Sequence, residues 1–326
     1  MIKRITIAAP CLAMLVLAVT ACGGGKGEVP AAPSGPVTVY VGGLSGTVTP
    51  ILGSSGTALQ PIALSGADAI AVTPDGRTAY VVSAGGGVVT PLSLHSRKAG
   101  KPIKVGGYPA AIAITPNGRT AYVLNNSEHG TVIPITLATG AAGQPIVVGS
   151  NPQAIAITPN GKTAYVVNWF SDTLTPIDTA TDQPGKAIGI TGVGSAIVIT
   201  PDGKTAYVAG HDSVIPLNLA TRKLGRAIPV PGADALAITP DGKTVYALGK
   251  DAGVVTPIST KTNRAGAQIT VGKSPDAIAV TPDGKTVYVA SEDSKTVTPI
   301  SIATNTARKA IKVSDNPVAL AITQPS

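Results

Sequence analysis

The chain has 326 residues, a formal net charge of +8, 13% charged side chains, 38 glycines and 28 prolines. Two cysteines exclude a disulfide-built scaffold, and eight tyrosines, one tryptophan and one phenylalanine offer few rings on which bases could stack, so nucleic acid is not an expected partner. Beyond residue 21 no stretch is long and apolar enough to span a bilayer as a helix.

Residues 1–21 place Lys3 and Arg4 ahead of an apolar stretch that ends in small residues, the pattern of a secretory signal that takes no part in the fold. Val19-Thr20-Ala21-Cys22 resembles the lipobox of bacterial lipoproteins. The resemblance implies cleavage before Cys22, lipid on its sulfur, and an exported protein anchored to the cell membrane. Cys11 leaves with the signal, so Cys22 has no partner for an intrachain disulfide. Removing Lys3 and Arg4 takes the charge from +8 to +6. Residues 22–36, rich in Gly, Pro and Ala, read as the anchor and a flexible tether.

Val37-Thr38-Val39-Tyr40-Val41 opens a β-rich region and is followed by Thr47-Val48-Thr49-Pro50-Ile51 and Pro61-Ile62-Ala63-Leu64. One unit then recurs. Thr-Pro-Asp/Asn-Gly-Lys/Arg-Thr starts at Thr73, Thr115, Thr158, Thr200, Thr239 and Thr281. A period of about 40 residues means that one supersecondary unit is copied and stacked. In residues 111–149 the unit holds an apolar run, the turn Pro116-Asn117-Gly118, a strand from Thr120, a polar loop, a strand from Thr131 and a last strand closing at Val148. Pro presets φ and Gly accepts φ > 0, so the turn is tight. Four strands with short connections predict an antiparallel meander.

The first strand is apolar at every position, as in Ala111-Ile112-Ala113-Ile114, and so is buried on both faces. The fourth carries Lys101, Lys104, Lys309 and Lys312, charges that guard an exposed edge. The first strand is therefore innermost and the fourth outermost, which is a propeller blade. Six complete units lie between two complementary fragments. The N-terminal one lacks a first strand, and Pro317–Thr323 is a first strand alone. The predicted fold is all-β: a seven-bladed β-propeller of four-stranded antiparallel blades over residues 37–326, closed by N- and C-terminal strands sharing one blade. We number the complete blades 1 to 6 and the shared one 7.

Seven of the eight tyrosines (Tyr40, Tyr80, Tyr122, Tyr165, Tyr207, Tyr246, Tyr288) share one repeat position, where they are expected to fill space between blades. Every third strand holds a proline: Pro50, Pro91, Pro134, Pro176, Pro216, Pro257 and Pro299. Proline removes a ladder hydrogen bond, so a bulge or widened pairing is expected there.

In such a ring the first-to-second and third-to-fourth turns share one face, which collects Arg77, Arg119, Lys162, Lys204, Lys243 and Lys285. That basic face could lean on anionic lipid or wall polymer, or its lysines simply favour solubility. The second-to-third loops lie on the other face and vary most. They hold Glu128 and His129, then Trp169 and Phe170, then His211 and Asp212, the candidate ligand-binding residues. Where first strands enter the channel stand Asp68, Asp234 and Asp276, a candidate site for a hard cation, with Asp also an ordinary residue before a strand. No motif calls for a cofactor, and nucleophile elbows, zinc-hydrolase motifs and phosphate loops are absent from the sequence.

Tyr165-Val166-Val167-Asn168 and Tyr122-Val123-Leu124-Asn125, each after a Thr-Pro-Asn-Gly turn, resemble the YVTN-type β-propeller repeat of bacterial and archaeal surface proteins. Tyr207-Val208-Ala209, Tyr246-Ala247-Leu248 and Tyr288-Val289-Ala290 depart from it by lacking the Asn. The resemblance implies a seven-bladed propeller used for binding at the cell surface, with a protein, peptide or glycan as partner. The expectation is a lipid-anchored binding protein rather than an enzyme. The alternative is a metal-assisted hydrolase or lyase at the channel mouth, similar to propeller lactonases or a streptogramin lyase, with His129 or His211 as acid or base.

Overall fold

A computed structural model describes residues 37–323 apart from Glu128, Thr191 and Val193. The expected signal, Cys22 and the expected tether lie outside the described residues. Seven antiparallel sheets are present, each running from a first strand outward. In blade 2 the strands are Pro109–Ile114, Thr120–Asn125 and Thr131–Thr136. The split blade forms as the fragments require: Pro317–Thr323 pairs with Thr38–Gly43, in register from Thr38 against Thr323.

The repeated turn explains its own composition. The Thr73 hydroxyl donates to Asp75 Oδ1 at 2.6 Å, and the same oxygen accepts the Arg77 amide at 3.0 Å. Asn117 does the same work in blade 2, accepting from Thr115 at 2.7 Å and from the Arg119 amide at 3.0 Å, which is why Asp and Asn interchange here. Gly118 sits at φ 67° and rests on Pro74 of the preceding blade, so the turn also spaces neighbours. The first of these bonds holds the Asp75 carboxyl below the usual aspartate range, and the matching Thr200 bond does so for Asp202.

The fourth strand departs from expectation. It is broken into two short pieces, in blade 2 Ala141–Ala142 and Ile146–Val147, both paired with the third strand. Proline accounts for the break. Pro134 pairs with Tyr122 in unshifted register, and its carbonyl accepts the Gly143 amide from the outer side at 2.7 Å. A strand residue directs its N and its C=O to the same side. The missing N–H therefore faces outward, and the inner ladder loses nothing. The expected bulge at proline is thus replaced by an interruption of the outer strand.

The register shifts fall elsewhere, between first and second strands in six of the seven blades. In blade 6 the shift lies between Pro275 and Ala277, which leaves Asp276 as the extra, unpaired residue. Ala110, Gln153, Ser195, Asp234 and Val318 hold that position in blades 2, 3, 4, 5 and 7.

The seven tyrosines are buried between blades, as expected, and several also tie blades together. Tyr122 donates to Asp182 of blade 3 at 2.6 Å, Tyr207 to Asn263 of blade 5 at 2.8 Å, and Tyr246 to Asn305 of blade 6 at 2.6 Å. Each acceptor lies in the third-to-fourth turn of the next blade at positive φ (57°, 51° and 51°). Burial pushes the Tyr246 phenol up to about 12.

Candidate active site

The second-to-third loops and the blade-to-blade links meet at one mouth of the channel. The first residue after each second strand stands on its rim: Leu44, Ala84, Asn126, Trp169, His211, Lys250 and Glu292. In blades 2, 3, 6 and 7 its amide donates to a carbonyl of the preceding link, as from Glu292 to Ser274 at 2.9 Å. In blades 1 and 5 an aspartate takes over: Asp68 Oδ2 accepts the Ala84 amide at 2.8 Å, and Asp234 Oδ2 accepts the Lys250 amide at 3.1 Å. Burial raises the Asp234 carboxyl above the usual range, opposed by the Lys250 amide and by the charges of Lys250 and His211.

Asp276 has a different setting. The Ser274 carbonyl already serves its blade, so its carboxylate is released from that task. The bulge turns a side chain out of the ladder, as bulges beside active sites do. The Asp276 side chain is 6% exposed, and its Oδ1 pairs with the ammonium of Lys250 from blade 5. Its Oδ2 is buried without a standing donor. The Glu292 carboxyl lies within hydrogen-bonding range of Asp276, and this contact, then burial, then the Asp276 charge, hold Glu292 above the usual glutamate range. Glu292 therefore keeps its proton more readily than an ordinary glutamate, while Asp276 Oδ1 is engaged by Lys250. The mouth thus combines a half-buried ammonium with two adjoining carboxyl groups.

The other anticipated residues are scattered around the same face. His129 is exposed, and Glu128 lies outside the described residues. Trp169 is half-buried and Phe170 is 71% exposed, with ring centroids 6.1 Å apart. His211 and Asp212 are exposed on the blade 4 loop. Asp68 and Asp234 bind backbone amides as described, and among the described residues no three His, Cys, Asp or Glu side chains are grouped to hold a metal ion. The Asn of the repeat is internal: Asn168 is fully buried, and its amide donates to Thr175 Oγ1 at 2.9 Å.

Sequence reasoning missed Lys250 and Glu292. A signal was present, since both occupy the repeat position of Trp169 and His211. Aligning the blades on that position alone shows Trp, His, Lys and Glu in four consecutive blades.

Among solved structures this chain is similar to hydrazine synthase of Kuenenia stuttgartiensis, at 21% identity and a TM-score of 0.75, covering 92% of this chain and 99% of that one. It is similar to a putative 6-phosphogluconolactonase from Bacteroides fragilis, at 20% identity, a TM-score of 0.73 and coverage of 90% and 100%. It is also similar to the periplasmic gluconolactonase of Pseudomonas aeruginosa, at 18%, 0.74, and 89% and 100%. At such identities these establish the propeller fold. No curated protein sequence matches. A family model described as lactonase, 7-bladed β-propeller, matches residues 149–319, more than half of the chain and all of the Lys250–Asp276–Glu292 cluster. This match overturns the expectation of a binding protein rather than an enzyme, which rested on the scarcity of acid–base residues; the chain belongs to the lactonase, seven-bladed β-propeller family.

Proposed function

We propose that the protein hydrolyses lactones at the mouth between blades 5 and 6. The observation that carries this is Asp276, a buried carboxylate placed by a bulge between a lysine and a second acid. Ring opening needs a base for the attacking water, a positive charge for the tetrahedral oxyanion and an acid for the departing ring oxygen. The Asp276 carboxylate takes the proton of the attacking water, and the Glu292 carboxyl, held above the usual range, gives its own to the leaving alkoxide. A proton passing from Asp276 to Glu292 restores the pair, and the product is a hydroxy acid. Lys250 Nζ faces the developing oxyanion. Trp169 and Phe170, on the same face, offer an apolar wall to the rest of the substrate.

Local charge narrows the substrate. Besides Lys250, this face around blades 4 to 6 carries five acids, Asp212, Asp251, Asp276, Glu292 and Asp293, against Lys273 and Lys295, and among the described residues it carries no arginine. A phosphorylated lactone would be repelled and would lack a bidentate partner. The test is hydrolysis by the purified protein of glucono-δ-lactone and its 6-phospho derivative, followed by acid release. Faster turnover of the uncharged lactone is expected. Rates at the uncatalysed background for both would sink the proposal.

We also propose export and lipid anchoring through Cys22, supported by the Val19–Cys22 motif. Cys22→Ser should move the protein out of the membrane fraction. Retention there would refute the anchor.

A further inference from the structure

In blades 3, 5 and 6 the third-to-fourth turn offers Asp182, Asn263 and Asn305 to the tyrosine of the preceding blade. Blade 7 has Gly56 at that position, at φ 67°. No side chain fills the place, and a cleft of about 680 Å³ opens between blades 6 and 7. Gly140 of blade 2 is the other glycine at this position, but there the Tyr80 hydroxyl lies 3.5 Å from the Leu137 carbonyl. The Tyr288 side chain is buried, lines the cleft, and finds no acceptor for its hydroxyl among the described residues. Arg308, Lys309 and Lys312 line the same blade 6 wall, Gly53–Gly56 of blade 7 form the other, and no acid lines the cleft.

We propose that this cleft binds the phosphate of an anionic phospholipid headgroup. A phenol O–H, a guanidinium and two ammonium groups, with no carboxylate among the lining residues, make a site for a phosphate monoanion or diester. The size fits a headgroup, since ligand sites span about 300–1,000 Å³. Two observations favour a lipid over a soluble phosphate. One end of the cleft is the Gly53–Gly56 turn, which lies on the face bearing the turn cations Arg77, Arg119, Lys162, Lys204, Lys243 and Lys285. Val37, the first described residue, accepts a hydrogen bond from Gly53 of the cleft at 2.8 Å. The segment that leads back to Cys22 therefore joins the ring beside this cleft. The orientation that follows sets the acidic mouth away from the membrane.

The test is co-sedimentation of the full chain, carrying Cys22→Ser throughout, with phosphatidylcholine vesicles containing or lacking phosphatidylglycerol. Phosphatidylglycerol should raise binding at least tenfold. Gly56→Asn is the decisive variant. It leaves the charge unchanged and reproduces the Asn of blades 5 and 6. Its Cβ would meet only Ile311, at an ordinary 3.4 Å, and Asn263 and Asn305 already adopt φ 51° at this position, so the fold accommodates it. It should lose most of the gain, as should Arg308→Ala/Lys309→Ala/Lys312→Ala, whereas Lys162→Ala/Lys204→Ala/Lys243→Ala should lose less. Gly56→Asn binding like the parent, or equal losses in the two triple variants, would reduce the cleft to part of a diffuse basic face and overturn the proposal. Displacement by inorganic phosphate or polyphosphate at the lipid's own phosphate concentration would overturn the lipid assignment.

Discussion

Asp276→Asn removes one charge with almost no change in size, and the structure gives both consequences a sign. The proposed base is lost. General acid–base catalysis contributes about 10²- to 10⁴-fold, so kcat/KM for an uncharged lactone should fall by that factor, about 3–5 kcal/mol of transition-state stabilisation. Glu292 also loses the largest and third causes of its raised pKa, the contact with Asp276 and its charge. Its ionised form becomes easier to reach, and the acid limb of the kcat/KM profile moves to lower pH. Stability should fall less than the ~3–5 kcal/mol typical of a broken buried pair. Lys250 is 22% exposed, and a now-ionised Glu292 can serve as its counter-ion. Asp234→Asn is the internal comparison, because Asp234 accepts a backbone amide in the neighbouring blade. It should cost about 1 kcal/mol of stability and leave turnover within severalfold of the parent. Activity of Asp276→Asn within threefold of the parent, or equal loss in a folded Asp234→Asn, would refute the assignment.

Tyr246→Phe deletes the bond to Asn305, an exposed acceptor that water can satisfy, so a thermal melt should show a loss of about 1 kcal/mol, or roughly 2 °C. Gly242 is at φ 69°, and a Cβ there would lie 2.9 Å from Pro201 of the preceding blade, whereas Gly85 has nothing within 4 Å. Gly242→Ala should therefore destabilise by 1 kcal/mol or more (~1–3 for strained φ), and Gly85→Ala should be near neutral. Asp75 and Asp202 are held below the usual aspartate range, so their contribution to stability is present above that range and fades as pH falls through their lowered values. Asp202→Asn should reproduce the neutral turn of blades 2 and 3, leave the melt at pH 7 nearly unchanged, and remove its share of acid sensitivity in melts below pH 4 (the aspartate range).

The ring was legible in the sequence because its determinants are local and repeated. Thr73, Asp75 and Gly76 specify a turn within six residues, and Ala-Ile runs specify an inner strand wherever they stand. Complementary fragments at Val37 and Pro317 gave the blade count by simple completion. The third-strand prolines were visible, but their effect depended on which way a single N–H points, a property of register rather than composition. The site was harder for a related reason. Lys250, Asp276 and Glu292 come from two blades, and nothing in their sequence spacing of 26 and 16 residues marks them as neighbours. Asp276 resembled Asp68 and Asp234 in sequence; only the partner of the nearest loop amide separates a structural aspartate from a released one. The candidate histidines drew attention as rare residues, but rarity says nothing of position around a ring.

The shared blade bears on how the chain folds. The Thr323 hydroxyl reaches the Thr38 carbonyl across 285 residues of sequence. Six blades can each pair their strands within about 40 residues, but the seventh must await Pro317–Thr323. A nascent or truncated chain is therefore an open arc with two raw edges, Thr38–Gly43 at one end and blade 6 at the other. Loss of Pro317–Thr323 would strip the shared blade of its inner strand and open the ring beside blade 6. Quality control of this protein, whether by protease or by chaperone, needs to inspect only that seam.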